Sequence, residues 1–260
     1  MLIKKIKIII NVWIKYVNMC INFEKDGDDI LVIHKNVITA KFIYRPNRFQ
    51  AYVEIDGVET IVHVPNTGRC REILIPGCTV ILREEDAPSR KTKYDLIGGY
   101  KGKRFINIDS HIPNKVVEEA LKNKKISLLS GYSKVEREKT FGNSRFDFKL
   151  IDSNKNECYL EVKGVTLEDG GKTMFPDAPT ERGTKHLLEL IDVKDTGREA
   201  AVLFLIQMEG VEYFTPHDEM DKAFGEALRL AHKNGVHILA YDCFVGEKHI
   251  TLKDPIEVRL

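Results

Sequence analysis

The chain has 260 residues, of which 43% are hydrophobic and 30% charged, and its formal net charge at pH 7 is +1. This composition is that of a soluble globular protein, long enough for one large domain or two ordinary ones. The near-zero charge excludes any argument for nucleic-acid binding from overall charge, so that case must rest on local basic clusters. The five cysteines are scattered without a C-x-x-C pair, which argues against a disulfide framework or zinc site and favours a reducing cytoplasm.

Residues 1–29 are treated as an N-terminal extension, because the first 23 of them are rich in Ile, Lys and Asn. Their apolar runs are too short and too interrupted for a membrane-spanning helix, and no small-residue cleavage site follows. A membrane-surface helix is one interpretation. We favour a dispensable extension or an incorrectly assigned start, expect no membrane association, and place the start of the folded part near Ile30.

Residues 30–108 consist of short strand-like segments separated by turns. The clearest is a hairpin in which FQAYVEI and VETIVHV flank Asp56-Gly57, since Asp-Gly supplies the positive φ angles of a tight turn. Pro76-Gly77 marks another turn before the strand CTVILRE. Because no helical period is sustained here, we predict an all-β N-terminal domain, a barrel of about five strands similar in size to an OB-fold.

Residues 109–260 alternate between helical and strand patterns. The predicted elements are a helix at 113–123, strands near 135–140, 144–150 and 158–164, a helix capped by Thr180, a strand at 200–208, a helix ending at Asn234-Gly235, and a final strand, VHILAYDCFV. The segment AAVLFLIQM (200–208) is an apolar run with one polar side chain, Gln207, and such a run is typical of a strand buried on both faces. This order predicts an α/β domain with a mixed sheet.

Two neighbouring strands, SRFDFKL (144–150) and CYLEVKG (158–164), carry the most informative side chains. Turn-forming residues between them predict a hairpin, and pairing of Ile151 with Glu157 would bring Asp147 directly opposite Glu161. Like charges in that position are destabilising, and a divalent cation between them would reverse the sign of the interaction. By alternation, the opposite, apolar face is expected to contain Phe146, Phe148, Leu150, Cys158, Leu160 and Val162.

Asp147, Glu161 and Lys163 are therefore candidate catalytic residues for phosphodiester hydrolysis with Mg²⁺ or Mn²⁺. Such ions are held by one or two carboxylates together with waters and phosphate oxygens, and Lys163 would position a water or stabilise charge on a phosphate. Glu136 and Glu138 alternate onto one face of the preceding strand, and Glu138 is the expected third metal-directed carboxylate beside Asp147 and Glu161. The alternative is a solvated strand face on which neighbouring lysine and arginine side chains balance these acids.

Basic residues form three candidate DNA-binding clusters. The segment 89–105 interleaves cations with aromatic rings, so that phosphates and bases could both be bound; its basic members are Arg90, Lys91, Lys93, Lys101, Lys103 and Arg104. Arg69 ends the turn HVPNTGR, whose N–H groups could hold an anion. Arg182, Lys185 and His186 share a helix face near an N-terminus, which favours anions. The simpler explanations are a solvated surface, a structural turn and a hydrogen-bonded histidine.

Several segments together resemble the sugar fermentation stimulation protein A (SfsA) family. They are HVPNTGR (63–69), SRKTKYDL (89–96), SRFDF (144–148), LEVKGVTL (160–167), MFPDAPTERGTKHLLEL (174–190) and the closing buried strands. The resemblance implies a prokaryotic cytoplasmic protein with DNA-binding activity, linked by name to regulation of sugar metabolism such as maltose use. It also implies an OB-like domain followed by a domain similar to the PD-(D/E)xK nucleases, with Asp147 and Glu161 as metal ligands and Lys163 as the catalytic lysine. Phe146 stands where that motif has proline.

Three functional hypotheses follow. The first is a DNA-binding protein of low sequence specificity that cleaves phosphodiesters with Mg²⁺ or Mn²⁺, with single-stranded DNA as one candidate partner. The second is a non-catalytic DNA-binding regulator of sugar metabolism. The third is an enzyme for a small phosphorylated metabolite, although basic clusters spread over two domains suit a long polyanion better. Because no helix-turn-helix pattern is present, we expect little base specificity.

Overall fold

The computed structural model of the chain describes residues 31–32, 35–86 and 90–260. The extension predicted at residues 1–29 lies outside the described residues. The first described strand, β1 (Leu31–Val32), pairs with a strand close to the C-terminus rather than with the barrel. No described helix is both long and apolar enough to cross a membrane.

A six-stranded sheet forms the N-terminal part of the described chain. Its strands are β2 (Val37–Asn47), β3 (Gln50–Ile55), β4 (Val58–His63), β5 (Thr79–Glu84), β6 (Tyr94–Lys101) and β7 (Arg104–Asn107). They lie in the order β4-β3-β2-β5-β6-β7, and a parallel pairing of β4 with β6 at His63 and Asp95 closes the sheet. The predicted all-β barrel is confirmed, with six strands in place of about five.

The predicted Asp56-Gly57 hairpin is also confirmed. Strand β3 pairs with β4 from Gln50–His63 to Ile55–Val58. Asp56 and Gly57 have φ angles of 50° and 81°, the left-handed values that a tight two-residue turn requires. Glycine adopts such an angle without a steric penalty, which is why this dipeptide fixes the register of the two strands.

A seven-stranded mixed sheet forms the C-terminal part. Besides β1 it contains β8 (Lys134–Phe141), β9 (Ser144–Ile151), β10 (Glu157–Val165), β13 (Glu199–Ile206), β15 (His237–Gly246) and β16 (His249–Pro255). The order is β1-β16-β15-β13-β10-β9-β8, and the central strands β10, β13 and β15 are parallel. Parallel neighbours on both sides and packing on both faces explain the apolar run of β13, in which Ala200–Ile206 are all buried.

Three described α-helices pack on this sheet: α1 (Ile112–Lys122), α2 (Glu181–Asp195) and α3 (Lys222–Lys233). Thr180 caps α2 as predicted, because its hydroxyl accepts a hydrogen bond from Gly183 N at 3.0 Å. One core cluster runs from the barrel interior to α2 and α3, and a second lies between α1 and the other sheet face. The expected fold class, an OB-like barrel followed by a mixed α/β sheet, is confirmed.

Two features of the fold were not predicted. A small sheet of β11 (Leu167–Asp169), β12 (Lys172–Phe175), β14 (Tyr213–Pro216) and β17 (Glu257–Val258) lies beside the main sheet. The segment VHILAYDCFV, which forms most of β15, is not the final strand, because β16 returns antiparallel to it and β17 follows. These strands are short or partly exposed, so their sequences lack the long apolar run that marks β13.

Candidate active site

The candidate active site is a cavity of about 560 Å³ where the barrel meets the second sheet. Strands β9 and β10 contribute Asp147, Glu161 and Lys163 to its wall, and the first turns of α1 and α2 contribute Asn114 and Arg182. The loop after β4 closes the barrel side. Two helix N-termini and several basic side chains thus line the same space as two acids, an arrangement that can hold both a cation and an anion.

The hairpin that carries the acids has the register expected from its sequence. Ile151 pairs with Glu157, and the pairing continues to Phe148 and Leu160, where it ends. Beyond that point the Val162 N–H donates to Asp147 Oδ2 at 2.8 Å. The Asp147 side chain, in place of the β9 backbone, is therefore the hydrogen-bond partner of β10. The two strands therefore separate at the residue that is a candidate metal ligand.

Asp147 is held from two sides. Asn114 Nδ2 donates to its Oδ1 at 2.7 Å, while the Val162 N–H binds its Oδ2. Burial and the neighbouring charge of Glu161 raise the pKa of Asp147 above its ordinary value, although these two hydrogen bonds oppose the shift. The carboxylate is thus fixed in position but poorly stabilised as an anion.

Glu161 is buried and shares one oxygen between two donors. Lys163 Nζ lies 2.6 Å from its Oε1, and His186 Nδ1 lies 2.6 Å from the same atom. Arg182 Nε donates to His186 Nε2 at 3.4 Å. Because Nε2 accepts a hydrogen bond from Arg182 and Nδ1 faces a carboxylate, His186 fits a neutral imidazole with its proton on Nδ1. His186 therefore donates to Glu161.

The other oxygen of Glu161 is different, because Oε2 is buried and has no hydrogen-bond partner among the described residues. Burial acts to raise the pKa of Glu161, but the hydrogen bond from His186 and the charge of Lys163 outweigh it and lower the pKa overall. Glu161 is therefore ionised at neutral pH with one open oxygen, which is a group that a cation can bind.

The donor set fits a hard divalent cation. Asp147 and Glu161 offer carboxylate oxygens within one polar cavity, and Mg²⁺ typically takes one or two such ligands with waters and substrate oxygens. Within the described residues, no group of three or more His, Cys, Asp or Glu side chains has metal-binding geometry. Two acids with an open oxygen match the sparse coordination of Mg²⁺ or Mn²⁺ better than a complete protein cage.

The structure does not bring Glu138 into this cavity. Its side chain is 58% exposed, and its carboxylate lies 3.4 Å from the Arg145 guanidinium. Glu138 has a φ of 52°, so the backbone of β8 departs there from the regular geometry on which the alternation argument depended. The expectation that Glu138 joins Asp147 and Glu161 as a third metal ligand has no support from its position.

The predicted division of the hairpin into one apolar and one polar face was wrong in part. Phe146 and Phe148 belong to different core clusters, and the Phe146 ring contacts Tyr159 and His186 at centroid distances of 5.8 Å. Tyr159 and Glu161, which alternation assigned to the polar face, are both buried. The cause is that α2 covers this face of β10.

His186 is also placed differently from the prediction. It was expected among DNA-binding residues, but it is 4% exposed and its ring is bound to Glu161. Arg182 is exposed and lines the cavity, and Lys185 is exposed near Glu189, 3.7 Å away. The helix face therefore splits into a cavity residue, a surface cation and a buried partner of the acid.

The basic segment 89–105 is largely neutralised by acids from elsewhere. Arg90 binds Asp95, Lys93 binds Glu84, and Lys101 and Arg104 both bind Glu168. Only Lys91 and Lys103 are exposed there without an ion pair to a described residue. The cluster that the sequence showed as strongly basic presents a much weaker positive surface.

Arg69 is exposed, whereas the N–H groups of its turn are already engaged. Gly68 N donates to Asn66 Oδ1 at 2.7 Å, and Cys70 N donates to Asp177 Oδ2 at 2.9 Å. Gly68 is required here, since a Cβ at that position would lie 2.6 Å from Asp177 Oδ2. The turn is therefore a structural link between the barrel and the second sheet, and no anion nest forms from these two groups.

Several cavity residues were not predicted from the sequence. Asn114 orients Asp147, and Gln207 at the end of β13 lines the floor, where its Nε2 donates to Asn107 Oδ1 at 2.9 Å. Asp177 was part of a long recognised segment but was given no role. The position of Gln207 directly after an apolar strand was a usable signal, because strand ends often carry site residues. Nothing local indicated the role of Asn114.

A closed β-barrel joined to a mixed α/β sheet, with paired acids on a hairpin, has the architecture of an OB-like domain followed by a mixed α/β domain. Residues 43–108 match the family model described as the SfsA N-terminal OB domain. Residues 111–249 match the model described as the sugar fermentation stimulation protein RE domain. The chain belongs to the SfsA family.

Relatives of known name agree with this assignment. The sugar fermentation stimulation protein homolog of Clostridium kluyveri is 67% identical over 230 residues, which cover 88% of this chain and 100% of that protein. The homolog of Clostridium tetani is 68% identical with the same coverage. The solved structure of Pyrococcus furiosus SfsA in complex with Ca²⁺ is 27% identical, has a TM-score of 0.80, and spans 88% of this chain and 100% of that one.

Proposed function

We propose that this protein binds nucleic acid and hydrolyses its phosphodiester bonds with Mg²⁺ or Mn²⁺ held by Asp147 and Glu161. The observation that carries the proposal is the buried Glu161 Oε2, which has no partner among the described residues and lines a cavity with a second desolvated acid. An unpaired buried acceptor costs about 1–3 kcal/mol, and more when charged. A cation bound at this oxygen would offset that cost.

Each cavity side chain has a distinct role in the proposed reaction. A divalent metal supplies Lewis-acid stabilisation of phosphoryl oxygens and lowers the pKa of a bound water. Lys163, whose side chain is 15% exposed, places its ammonium beside Glu161, where it can hold a water or a phosphate oxygen. Asn114 and the Val162 N–H orient Asp147, and His186 orients Glu161.

A phosphate-rich substrate is supported by the cationic part of the cavity. Arg48 and Arg182 line it, and both are exposed. The N-terminal turns of α1 and α2 reach the same space, and helix N-termini favour anions. Side chains of this kind contact phosphates in any sequence, so we expect binding with little base specificity.

A divalent ion is further supported by a solved relative. Pyrococcus furiosus SfsA is described in complex with Ca²⁺, and it superposes on this chain with a TM-score of 0.80. Ca²⁺, Mg²⁺ and Mn²⁺ share a preference for oxygen ligands. We therefore infer that this chain also has a divalent-cation site. We also place the protein in the cytoplasm, where free thiols such as Cys70 and Cys158 remain reduced.

The proposal is tested with wild-type protein and the Asp147→Asn variant. We expect wild type to cleave plasmid or single-stranded DNA in Mn²⁺, and Asp147→Asn to be at least about 100-fold slower, because removing a ligand costs more than the 10–100-fold lost with a supporting partner. Mn²⁺ should also raise the thermal unfolding temperature of wild type and not that of the variant.

Glu138→Gln is the matched control, because it removes a carboxylate from the same hairpin region but outside the cavity. It should cleave at the wild-type rate and keep the Mn²⁺-dependent thermal shift. Cleavage by Asp147→Asn at the wild-type rate would remove the enzymatic proposal, and so would the absence of any Mn²⁺ shift in the wild-type protein.

A non-catalytic DNA-binding regulator is the second candidate, and one observation favours it. Lys163 and His186 both bind Glu161 Oε1, so this acid is partly compensated without a metal. For such a protein, Asp147→Asn should bind DNA at least as tightly as wild type, because it removes negative charge near phosphates, and neither protein should cleave.

A further inference from the structure

A second cavity, of about 420 Å³, lies on the barrel beside the candidate active site. We call it the arginine groove and define it by Tyr44, Arg48, Arg69 and Arg71. The two cavities share Arg48, Thr67 and Gly68 as lining residues, so they adjoin one another. A flexible polymer bound in one cavity can therefore continue directly into the other.

The cations of the arginine groove have no acidic partners in the described part of the chain. Arg48, Arg69 and Arg71 are all exposed, and none makes an ion pair with a described residue. Most basic residues of segment 89–105, by contrast, are bound to acids. Three guanidinium groups left free around one groove create a local positive potential that favours a ligand with repeated negative charges.

The backbone of the groove is held rigid by a fourth arginine. The Arg45 guanidinium donates to the carbonyl oxygens of Asn66 and Gly68 at 2.6 and 2.7 Å, and to that of Arg48 at 2.7 Å. These bonds tie the turn after β2 to the loop after β4. Arg48 and Arg69 are thus presented from a fixed backbone, which lowers the entropy lost when a ligand binds.

Aromatic rings accompany these cations. Tyr44 and Tyr52 pair across β2 and β3 and stack with centroids 4.6 Å apart at 11°. Tyr44 lines the groove and is 44% exposed, so one ring is open to solvent. Phe49 is 48% exposed, and the Arg48 guanidinium lies 4.8 Å from its ring centroid. Alternating rings and cations are suited to stack bases while binding phosphates.

We propose that the arginine groove binds a single-stranded segment of nucleic acid leading into the active site, with a base stacked on Tyr44 and phosphates on Arg48, Arg69 and Arg71. That the adjoining cavity is an active site rests on the proposed function, whereas binding in the groove requires no cleavage. Bases within a duplex are already stacked on one another and present no free face to Tyr44. The groove therefore selects single strands or unpaired ends.

The test measures binding of a labelled 15-nucleotide thymidine oligomer by fluorescence anisotropy in EDTA, where no metal-dependent cleavage occurs. Tyr44→Ala should weaken binding about tenfold or more, whereas Tyr44→Phe, which keeps the ring face, should stay within about twofold. In the double variant Arg69→Gln/Arg71→Gln, the plot of log affinity against log salt should become shallower. The magnitude of its negative slope should decrease by about 1.4, since each phosphate contact on a single strand contributes about 0.7.

Lys233→Gln is the charge control, because Lys233 is exposed at the end of α3, lines neither cavity and makes no ion pair with a described residue. Its salt slope should match wild type. A blunt 15-base-pair duplex is the second probe, and Tyr44→Ala should bind it as wild type does. Thermal unfolding of each variant confirms that it is folded.

If Tyr44→Ala binds the thymidine oligomer as tightly as wild type does, the proposal is overturned. Equal loss of duplex and single-strand binding would overturn the assignment to single strands. Both results are independent of cleavage. If wild type fails to cut DNA in Mn²⁺ while Tyr44→Ala loses oligomer binding in EDTA, the nuclease proposal fails and the groove stands.

Discussion

The barrel and the candidate active-site cavity both contain buried acids, and the two regions differ in how fully those acids are paired. In the barrel, the Arg83 guanidinium binds Asp95 at 3.1 Å and Asp109 at 2.6 Å. Arg90 and His63 complete the shell of Asp95. In the candidate active-site cavity, Glu161 pairs with Lys163 and accepts a hydrogen bond from His186, and its Oε2 has no partner among the described residues.

The difference separates a structural cluster from a candidate functional one. A buried acid whose oxygens all have protein partners contributes to a fixed conformation, and removing a partner leaves an uncompensated charge. A buried acid with an open oxygen beside a second carboxylate costs stability as it stands, because the charges repel and are desolvated. Such a cost is commonly found where a ligand completes the site.

The largest effect that tests this comparison is expected in the barrel. Arg83→Ala leaves Asp95 and Asp109 without the guanidinium that bridges them, so the free energy of unfolding should fall by about 3–5 kcal/mol. Denaturation in urea, with circular dichroism and tyrosine fluorescence as probes, measures the loss. Arg229→Ala, which breaks an exposed pair with Asp218, is the control and should cost less than about 1 kcal/mol. Equal losses in the two variants would contradict the view that the barrel network is structural.

A smaller effect is expected at the positioning residue of the cavity. His186→Ala removes the donor to Glu161 Oε1 and should weaken Mn²⁺ binding about 10–100-fold, the usual cost of losing a supporting hydrogen bond to a metal ligand. His186→Gln retains an N–H donor and should recover part of the affinity. Isothermal titration with Mn²⁺ gives both values, and oligomer affinity in EDTA should change little because His186 is buried.

The neighbouring surface residue provides the control for this measurement. Lys185→Gln alters an exposed cation on the same helix, without contact to Glu161, and should bind Mn²⁺ as wild type does. If His186→Ala also binds Mn²⁺ like wild type, then Glu161 does not depend on His186 for its orientation, and the site is not organised as described.

The sequence was sufficient where the relevant interactions are local. The hairpin register followed from turn residues and alternation, and the predicted pairing of Ile151 with Glu157 is confirmed; the pairing ends at Phe148 and Leu160, one residue before Asp147 and Glu161 would face each other. The barrel hairpin followed from Asp56-Gly57, and the central strand β13 from its uninterrupted apolar run. In each case one short segment contains the whole physical cause.

The sequence was insufficient where the partner is remote or the strand irregular. Lys101 is neutralised by Glu168, 67 positions away, so counting acids near segment 89–105 overestimated its positive charge. Glu138 was assigned by alternation, but its positive φ angle breaks the regular strand. The free arginines of the groove come from separate loops that only the closed barrel brings together.

The smallest expected effect is the pH dependence of stability at Asp147. Because burial and the charge of Glu161 raise the pKa of Asp147 in the folded state, folding favours its protonated form. That stability is complete below the unfolded pKa of about 3.9 and is lost as pH rises through the folded pKa. Asp147→Asn mimics the protonated form and can keep both hydrogen bonds if Asn114 turns its amide, so it should unfold at a higher temperature than wild type near pH 7.

Thermal unfolding in EDTA between pH 4 and pH 7 measures this difference in unfolding temperature, which should narrow towards pH 4. The difference should also be smaller than the lowering of the unfolding temperature caused by Arg83→Ala. Saturating Mn²⁺ at pH 7 should reverse the order, because only wild type keeps both ligands; at 100 times the dissociation constant the gain is about 2.7 kcal/mol. A wild-type protein more stable than Asp147→Asn in EDTA at pH 7 would mean that Asp147 is already compensated within the fold. The cavity acids would then resemble those of the barrel, and the distinction between the two regions would disappear.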